Sequence, residues 1–257
     1  MDVRGLVDRC PHRRVCRVQC AARSSRVLRH RGRPIWFGGR DRSEVSLNEF
    51  FICLGPQKSA RIELAVMDMW RAFSKSTRTH APDAKILFDK FHVLLHLSEA
   101  LDQVRKSEYK RLSDTDRRYI KGQKYTLLTH RENLTLEGRQ SLKLLLAANK
   151  RLNTAYLLKE SFGQLWDYQR EGWARRFFDH WRAALKWQRL PSFEAFATLI
   201  EKHWDGIAAY SASENKVSLG FAEGLNHKIR VLQRRACGLR DPEYLRLKVV
   251  TCMLPEL

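Results

Sequence analysis

The stretch Ile62-Glu63-Leu64-Ala65-Val66-Met67-Asp68 decides the fold class of this chain. It is a short apolar run that ends at an acidic residue, and Ile86-Leu87-Phe88-Asp89 repeats the pattern further along. A helical pattern between the two runs predicts parallel strands joined by a crossover. Chemistry in such sheets collects beyond the carboxyl ends of the strands. The sequence therefore predicts an α/β fold with Asp68 and Asp89 near a site.

The segments on either side of these strands extend the prediction. Upstream, Ile35-Trp36-Phe37 is a short strand candidate, and residues 43–54 predict a helix that Gly55-Pro56 ends. Downstream, the residues after Asp89 lead into a long helix that ends near Leu112. No strand is predicted beyond it, and apolar residues at helical spacing continue through 114–128, 136–158, 162–185 and 193–210. The fold class predicted is therefore α/β with a dominant helical part.

The helical region is rich in tryptophan and in basic residues. It contains Trp166, Trp173, Trp181, Trp187 and Trp204. Packing between helices is the main interpretation of these side chains, and stacking on unpaired bases is the alternative.

The charge of the whole chain points to a polyanionic partner. Its 257 residues include 48 Lys+Arg and 28 Asp+Glu, which gives a formal net charge of +20. A basic excess of this size is most often associated with nucleic acid. No run approaches the roughly 20 apolar residues that a membrane span needs, and no secretory signal begins the sequence. The sequence predicts a soluble protein with a nucleic-acid partner and no membrane partner.

The six cysteines do not predict a disulfide framework in a chain of this length. Cys10, Cys16 and Cys20, together with His12, raise the alternative of a zinc site. Their spacing matches none of the paired-cysteine zinc patterns, so a zinc site is not favoured.

Residues 1–33 differ from the rest of the chain. They contain ten arginines and no lysine, and neither a helical nor a strand period is visible. A basic arm that binds nucleic acid is one interpretation. Translation out of frame from a GC-rich gene is the other, and the absence of lysine favours it. The segment is expected to be atypical, either out of frame or disordered.

The stretch from Ser218 to Arg235 carries a single carboxylate, Glu223, in a basic segment with helical spacing. On a helix, Glu223 would share a face with Asn226, Arg230 and Arg234. An acid among phosphate-binding bases is explained if it holds a divalent metal that itself contacts a phosphate. The alternative is an amphipathic surface helix.

Taken in order, these blocks resemble a DDE-type insertion-sequence transposase of the ISL-three group. The resemblance covers roughly Gly32 to Val250. Its motifs are GRPIWFGGRD, SLNEFF, AVMDMW, ILFDKFHV, WDYQREGWARRFFDHW and GFAEGLNHKIRVLQRRACGLRD. An aspartate before Met-Trp, then Asp-x-x-His, then a Glu-Gly-x-Asn helix is a specific combination.

The resemblance implies an RNase H-like core in which two aspartates and a glutamate hold two divalent metals. The second and third carboxylates correspond to Asp68 and Glu223, and hard carboxylate oxygens suit Mg²⁺ or Mn²⁺. Asp89 competes with Asp68 for the second position. The interpretation favoured here makes Asp68 the ligand, with Asp89 and His92 as neighbours that orient it.

The resemblance also implies partners. Double-stranded DNA at transposon ends is the expected substrate, assembly into a homo-oligomer is expected, and the location is the bacterial cytoplasm near the nucleoid. The residues expected to contact DNA are Asn226, Lys228, Arg230, Arg234, Arg235 and Arg240.

Two departures from the family pattern lead to a prediction of inactivity. No residue is a candidate for the first catalytic aspartate, and the first two strands of the core are expected to be missing. The predicted divisions are an atypical segment (1–33), the first part of an incomplete RNase H-like core (34–93), a helical insertion (94–210) and C-terminal core helices (211–257). The function expected is that of a truncated, inactive transposase. The alternatives are a non-catalytic DNA- or RNA-binding protein and a transposition inhibitor.

Overall fold

The computed structural model describes residues 15–21, 24–29, 37–38, 43–112, 117, 120–129 and 131–212, and positions 215, 231, 234, 235, 241, 244 and 248. The chain divides into two compact units. The sheet unit comprises Met1–Asp89 and Asn215–Leu257, and the helical unit comprises Lys90–Glu214.

A five-stranded mixed sheet organises the sheet unit. Its strands are β1 Val15–Ala21, β2 Ser24–Arg29, β3 Phe37–Gly38, β4 Leu64–Met67 and β5 Lys85–Phe88. Their order across the sheet is β3-β2-β1-β4-β5. β1, β2 and β3 pair antiparallel, whereas β4 runs parallel to both β1 and β5. The predicted parallel pairing of β4 with β5 is therefore confirmed.

The expectation that the first two strands are missing is wrong. β1 and β2 form an antiparallel hairpin within the arginine-rich segment, with Ala21 opposite Ser24. β1 also pairs along β4, from Val15 opposite Leu64 to Val18 opposite Met67. A strand ladder is built from backbone N–H and C=O groups, so a segment without regular alternation can still complete it. Whether residues 1–33 are translated out of frame stays a prediction.

The sheet unit also contains the helices α1 Glu44–Leu54, α2 Pro56–Ser59 and α3 Arg71–His80. The Ser43 side chain caps α1 by accepting a hydrogen bond from the Ser46 N–H. Gly55 ends the helix with a φ of 83°, which favours glycine. The fully buried Ser76 of α3 donates to Asn48 of α1 across 2.6 Å.

The described part of the helical unit is built from helices. The longer ones are α4 Lys90–Arg111, α6 Leu136–Ala148, α7 Lys150–Phe162, α8 Glu171–Leu185 and α9 Pro191–Lys202. The short ones are α5 Lys124–Leu128, α10 Trp204–Ala208 and the 3₁₀ turns Arg131–Asn133, Gly163–Asp167 and Ala209–Ser211. In the described part of the chain, no helix is long and apolar enough to cross a membrane.

Several helices predicted as single elements are interrupted. The segment 136–158 breaks at Asn149, whose backbone is extended and whose side chain caps α7 through the Leu152 N–H. The segment 162–185 is divided by the 3₁₀ turn Gly163–Asp167, and 193–210 is divided at His203. The apolar spacing continues across these breaks, because a helix can end and a new one begin at a single capping residue.

An aromatic core stabilises the helical unit. The rings of Phe162 and Trp181 meet edge to face with centroids 4.9 Å apart, and Phe196 contacts both. The Trp181 indole N–H donates to the Leu158 carbonyl across 2.9 Å. Packing between helices is confirmed for the buried Trp166, Trp181 and Trp204 and is wrong for the exposed Trp173 and Trp187.

Candidate functional site

Two aspartates follow directly after adjacent parallel strands. β4 and β5 pair in register so that Met67 lies opposite Phe88, which makes Asp68 and Asp89 the next residue of each strand. The Asp89 N–H donates to the Met67 carbonyl across 2.9 Å, so the backbone pairing extends to Asp89. The sheet therefore brings Asp68 and Asp89 to the same edge, as the sequence predicted.

The two aspartates differ in their surroundings. Asp68 is half-buried, and its Oδ1 accepts a hydrogen bond from the Met69 N–H at 2.8 Å. Asp89 is only 3% exposed. A ligand to a metal that also contacts DNA has to be reachable from solvent. Asp68 is therefore the more accessible of the two carboxylates.

β1 lies beside Asp68 but supplies no acid. Val18 of β1 is opposite Met67, so Gln19 is the β1 residue that follows that pair. No residue of Val15–Ala21 carries a carboxylate.

The chemistry of the donors fits a divalent cation only in part. Carboxylate oxygens are the ligands that Mg²⁺ and Mn²⁺ prefer, and Asp68 and Asp89 provide two of them. Among the described residues, no group of three or more His, Cys, Asp or Glu side chains is placed to hold a metal ion. Glu223, the predicted third carboxylate, lies outside the described residues.

The predicted DNA-contacting residues are only partly described. Arg234 and Arg235 are helical and exposed. The others, Asn226, Lys228, Arg230 and Arg240, lie outside the described residues.

His92 lies in the first turn of α4 and belongs to the helical unit. It is half-buried, and its ring meets that of Phe91 edge to face with centroids 5.8 Å apart. Its predicted role as a neighbour of the strand-end carboxylates stays a prediction.

Two buried acidic residues of the helical unit, Asp102 and Glu108, form hydrogen bonds within that unit. Burial raises the pKa of Asp102, but hydrogen bonds from Arg105 and Lys106 outweigh it and leave this pKa below its usual value. Glu108 accepts hydrogen bonds from Asn149 at 3.1 Å and from Arg151 at 3.4 Å. Both acids are therefore bound by side chains of their own unit.

Sequence reasoning missed an exposed aromatic surface on α8. Trp173 projects away from the core, and the Arg176 guanidinium lies 5.1 Å from the centre of its ring. Tyr168 and Phe177 form a second aromatic pair, with centroids 5.4 Å apart. The signal was present in the sequence, because Phe178, Trp181 and Leu185 define the buried stripe of α8 and Trp173 lies outside it.

Comparisons with known proteins assign most of the chain to one family. A family model described as "Transposase" (DDE_Tnp_ISL3) matches residues 14–249. The chain is 34% identical over 221 residues to the "Transposase for insertion sequence element IS1001" of Bordetella parapertussis, covering 85% of this chain and 54% of that protein.

A second relative gives the same picture. The "Transposase for insertion sequence element IS1557" of Mycobacterium tuberculosis is 30% identical over 240 residues, covering 83% of this chain and 52% of that protein. The chain thus spans about half the length of these curated relatives. No solved structure matches.

Proposed function

Because this chain belongs to the DDE_Tnp_ISL3 transposase family, matched over residues 14–249, we propose that it is part of an insertion-sequence transposase that acts on DNA. The family membership confirms the resemblance identified from the sequence motifs. The family match also includes β1 and β2, since it begins at residue 14. We propose double-stranded DNA at transposon ends as the partner.

The single observation that carries this proposal is the sheet with Asp68 at its edge. Its antiparallel β1-β2-β3 part and its parallel β1-β4-β5 part support an RNase H-like core. Asp68 follows β4, which is the position that the resemblance implies for the second catalytic carboxylate. Residues 90–214 then correspond to a helical insertion between this part of the core and the Glu223 segment.

Asp68 and Glu223 are the residues that would hold a divalent metal, with Asp89 and His92 as neighbours that orient Asp68. When bound, Mg²⁺ or Mn²⁺ supplies Lewis-acid stabilisation for phosphodiester cleavage and strand transfer. The backbone N–H of Met69 orients the Asp68 carboxylate, and Asp89, at the end of the neighbouring strand, is buried. Arg234, Arg235 and the neighbouring bases would neutralise DNA phosphates.

We further propose that this chain is catalytically impaired. The first catalytic carboxylate of the family pattern belongs to the first strand, and β1 contains none, with Gln19 following the residue opposite Met67. Two carboxylates would bind a metal more weakly and position it less well. A positioning error of about 1 Å can reduce a rate roughly a hundredfold.

A non-catalytic role is the second candidate. The net charge of +20 and the aromatic surface of α8 support a protein that binds nucleic acid without cutting it. Such a chain could inhibit transposition by occupying transposon ends or by pairing with an intact transposase. This candidate needs neither a complete carboxylate set nor a bound metal.

Mn²⁺ binding to the full chain tests the metal site, measured by isothermal titration calorimetry. We expect weak binding that Asp68→Asn reduces about tenfold or more, because a direct oxygen ligand is neutralised. Asp83→Asn is the matched control, since Asp83 is an exposed acid of the same unit. Equal Mn²⁺ affinity in the wild type and in Asp68→Asn would contradict the proposed ligand role.

Nicking of supercoiled DNA tests the proposed impairment. We expect no Mg²⁺-dependent nicking above background by the wild-type chain. If the wild-type chain nicks DNA and Asp68→Asn abolishes this activity, the proposed impairment is wrong, but the proposed role of Asp68 is supported. Metal-independent DNA binding without any Mn²⁺ binding would favour the non-catalytic candidate.

A further inference from the structure

The outer face of α8 exposes a tryptophan that the core does not use. Trp173 is 54% exposed, whereas Phe178 and Trp181 of the same helix are buried. A large apolar side chain left in solvent forgoes the free energy that burial would provide. Its flat ring is therefore available to a ligand.

A cation accompanies this ring. The Cζ atom of Arg176 lies 5.1 Å from the ring centroid of Trp173, within the range of a cation–π contact. Its neighbour Arg175 is held by Asp179 and Glu201. Among the residues that the structure describes, no acid pairs with Arg176 in this way. Arg176 can therefore reach an external anion.

The aromatic surface continues along the same helix. Phe177 is four residues after Trp173 and so shares its face, and its ring lies 5.4 Å from that of the half-buried Tyr168. The surrounding stretch 168–189 contains six basic and two acidic residues. Flat apolar rings surrounded by positive charge complement a base attached to a phosphate backbone.

We propose that Trp173 and Arg176 form a stacking platform for an unpaired base of single-stranded DNA. The indole ring would stack on the base, and the guanidinium would contact the adjacent phosphate. In a duplex the base faces are covered by neighbouring base pairs, so the platform selects unpaired nucleotides. This activity goes beyond the proposed function because it requires neither Asp68 nor a metal. Only the choice of DNA over RNA rests on the family assignment.

Fluorescence anisotropy with the full chain and a labelled single-stranded DNA of mixed sequence tests the platform. We expect Trp173→Ala to weaken this binding about tenfold, the effect of losing one base–aromatic stack. Affinity for a blunt duplex of the same length should stay within roughly twofold, since duplex binding depends on phosphates. Trp173→Phe retains an aromatic face and should recover most of the single-strand affinity.

Two further variants separate stacking from general effects. Tyr125→Ala is the matched control, because Tyr125 is an exposed aromatic residue of the same unit at 77% exposure, and it should bind like the wild type. Arg176→Gln should flatten the slope of log affinity against log salt by about 0.7, the value for one phosphate contact on a single strand.

Unchanged single-strand affinity in Trp173→Ala would overturn the platform. An equal loss on single-stranded and duplex DNA would also overturn it, because the residue would then act on general binding. A Trp173-dependent preference for single-stranded RNA would overturn the assignment to DNA. Since Mn²⁺ is absent from these experiments, a failed metal site leaves their result unaffected.

Discussion

The sheet unit and the helical unit are held together in different ways. In the sheet unit, backbone pairing of short strands places Asp68 and Asp89 at one edge. In the helical unit, aromatic side chains such as Phe162 and Trp181 make the decisive contacts. Backbone pairing tolerates almost any residue, whereas aromatic packing depends on the shape of each side chain.

The difference between backbone pairing and aromatic packing affects how sensitive the proposed function of each unit is to the loss of single residues. The position of Asp68 depends on the β4 backbone, but the proposed DNA cleavage needs each individual acid, and we propose that one missing carboxylate impairs it. The helical unit has a packed core together with the exposed Trp173. We therefore expect DNA binding by this chain to be more robust than DNA cleavage.

The largest expected effect is on the aromatic core of the helical unit. Trp181→Ala should lower the free energy of unfolding by about 4 kcal/mol, because it leaves a cavity and removes the hydrogen bond from the indole N–H to the Leu158 carbonyl. Urea denaturation followed by circular dichroism measures this change. Trp187→Ala, at a residue that is 81% exposed, should stay within about 0.5 kcal/mol. Equal effects of the two substitutions would remove the distinction between core and surface tryptophans.

An intermediate effect is expected where α6 meets α7. Asn149→Ala should cost about 2 kcal/mol, because its side chain both caps α7 and donates to Glu108. Thr135→Ala removes only the cap of α6 and should cost about 1 kcal/mol. Thermal unfolding of both variants makes the comparison. A larger loss for Thr135→Ala would show that the bond to Glu108 adds nothing.

The smallest effect is expected in the sheet unit. Ser76→Ala should cost about 1 kcal/mol, because it removes the hydrogen bond to Asn48 that joins α3 to α1. Thr79→Ala is its control, since this hydroxyl is exposed and bonds only within its own helix, to the Lys75 carbonyl. Urea denaturation again gives the values. A loss for Ser76→Ala as large as that for Trp181→Ala would mean that side-chain contacts dominate in both units.

The sequence predicted β4, β5 and the aspartates that follow them because short apolar runs ending at an acid are a local signal. It also predicted α1 and the start of the long helix α4. It missed β1 and β2 because their residues show no regular alternation. β1 forms its hydrogen bonds with β4, which lies far from it in the sequence. No local sequence pattern can therefore predict this pairing.

The tryptophans show the same limit within the helical unit. Composition predicted core packing for them as a group, and Trp166, Trp181 and Trp204 follow it. Trp173 differs because α8 turns a single stripe towards the core, and the position of a residue around the helix axis decides its burial.

The sequence by itself determined the family, the basic charge and the residue types available for metal and DNA. These properties follow from local motifs and from composition, which do not depend on the tertiary structure. Only the tertiary structure decided that the arginine-rich segment completes a sheet, that Asp89 is buried while Asp68 is more accessible, and that Trp173 faces solvent. Each of these depends on contacts between residues distant in the chain, and such contacts form only when the chain folds.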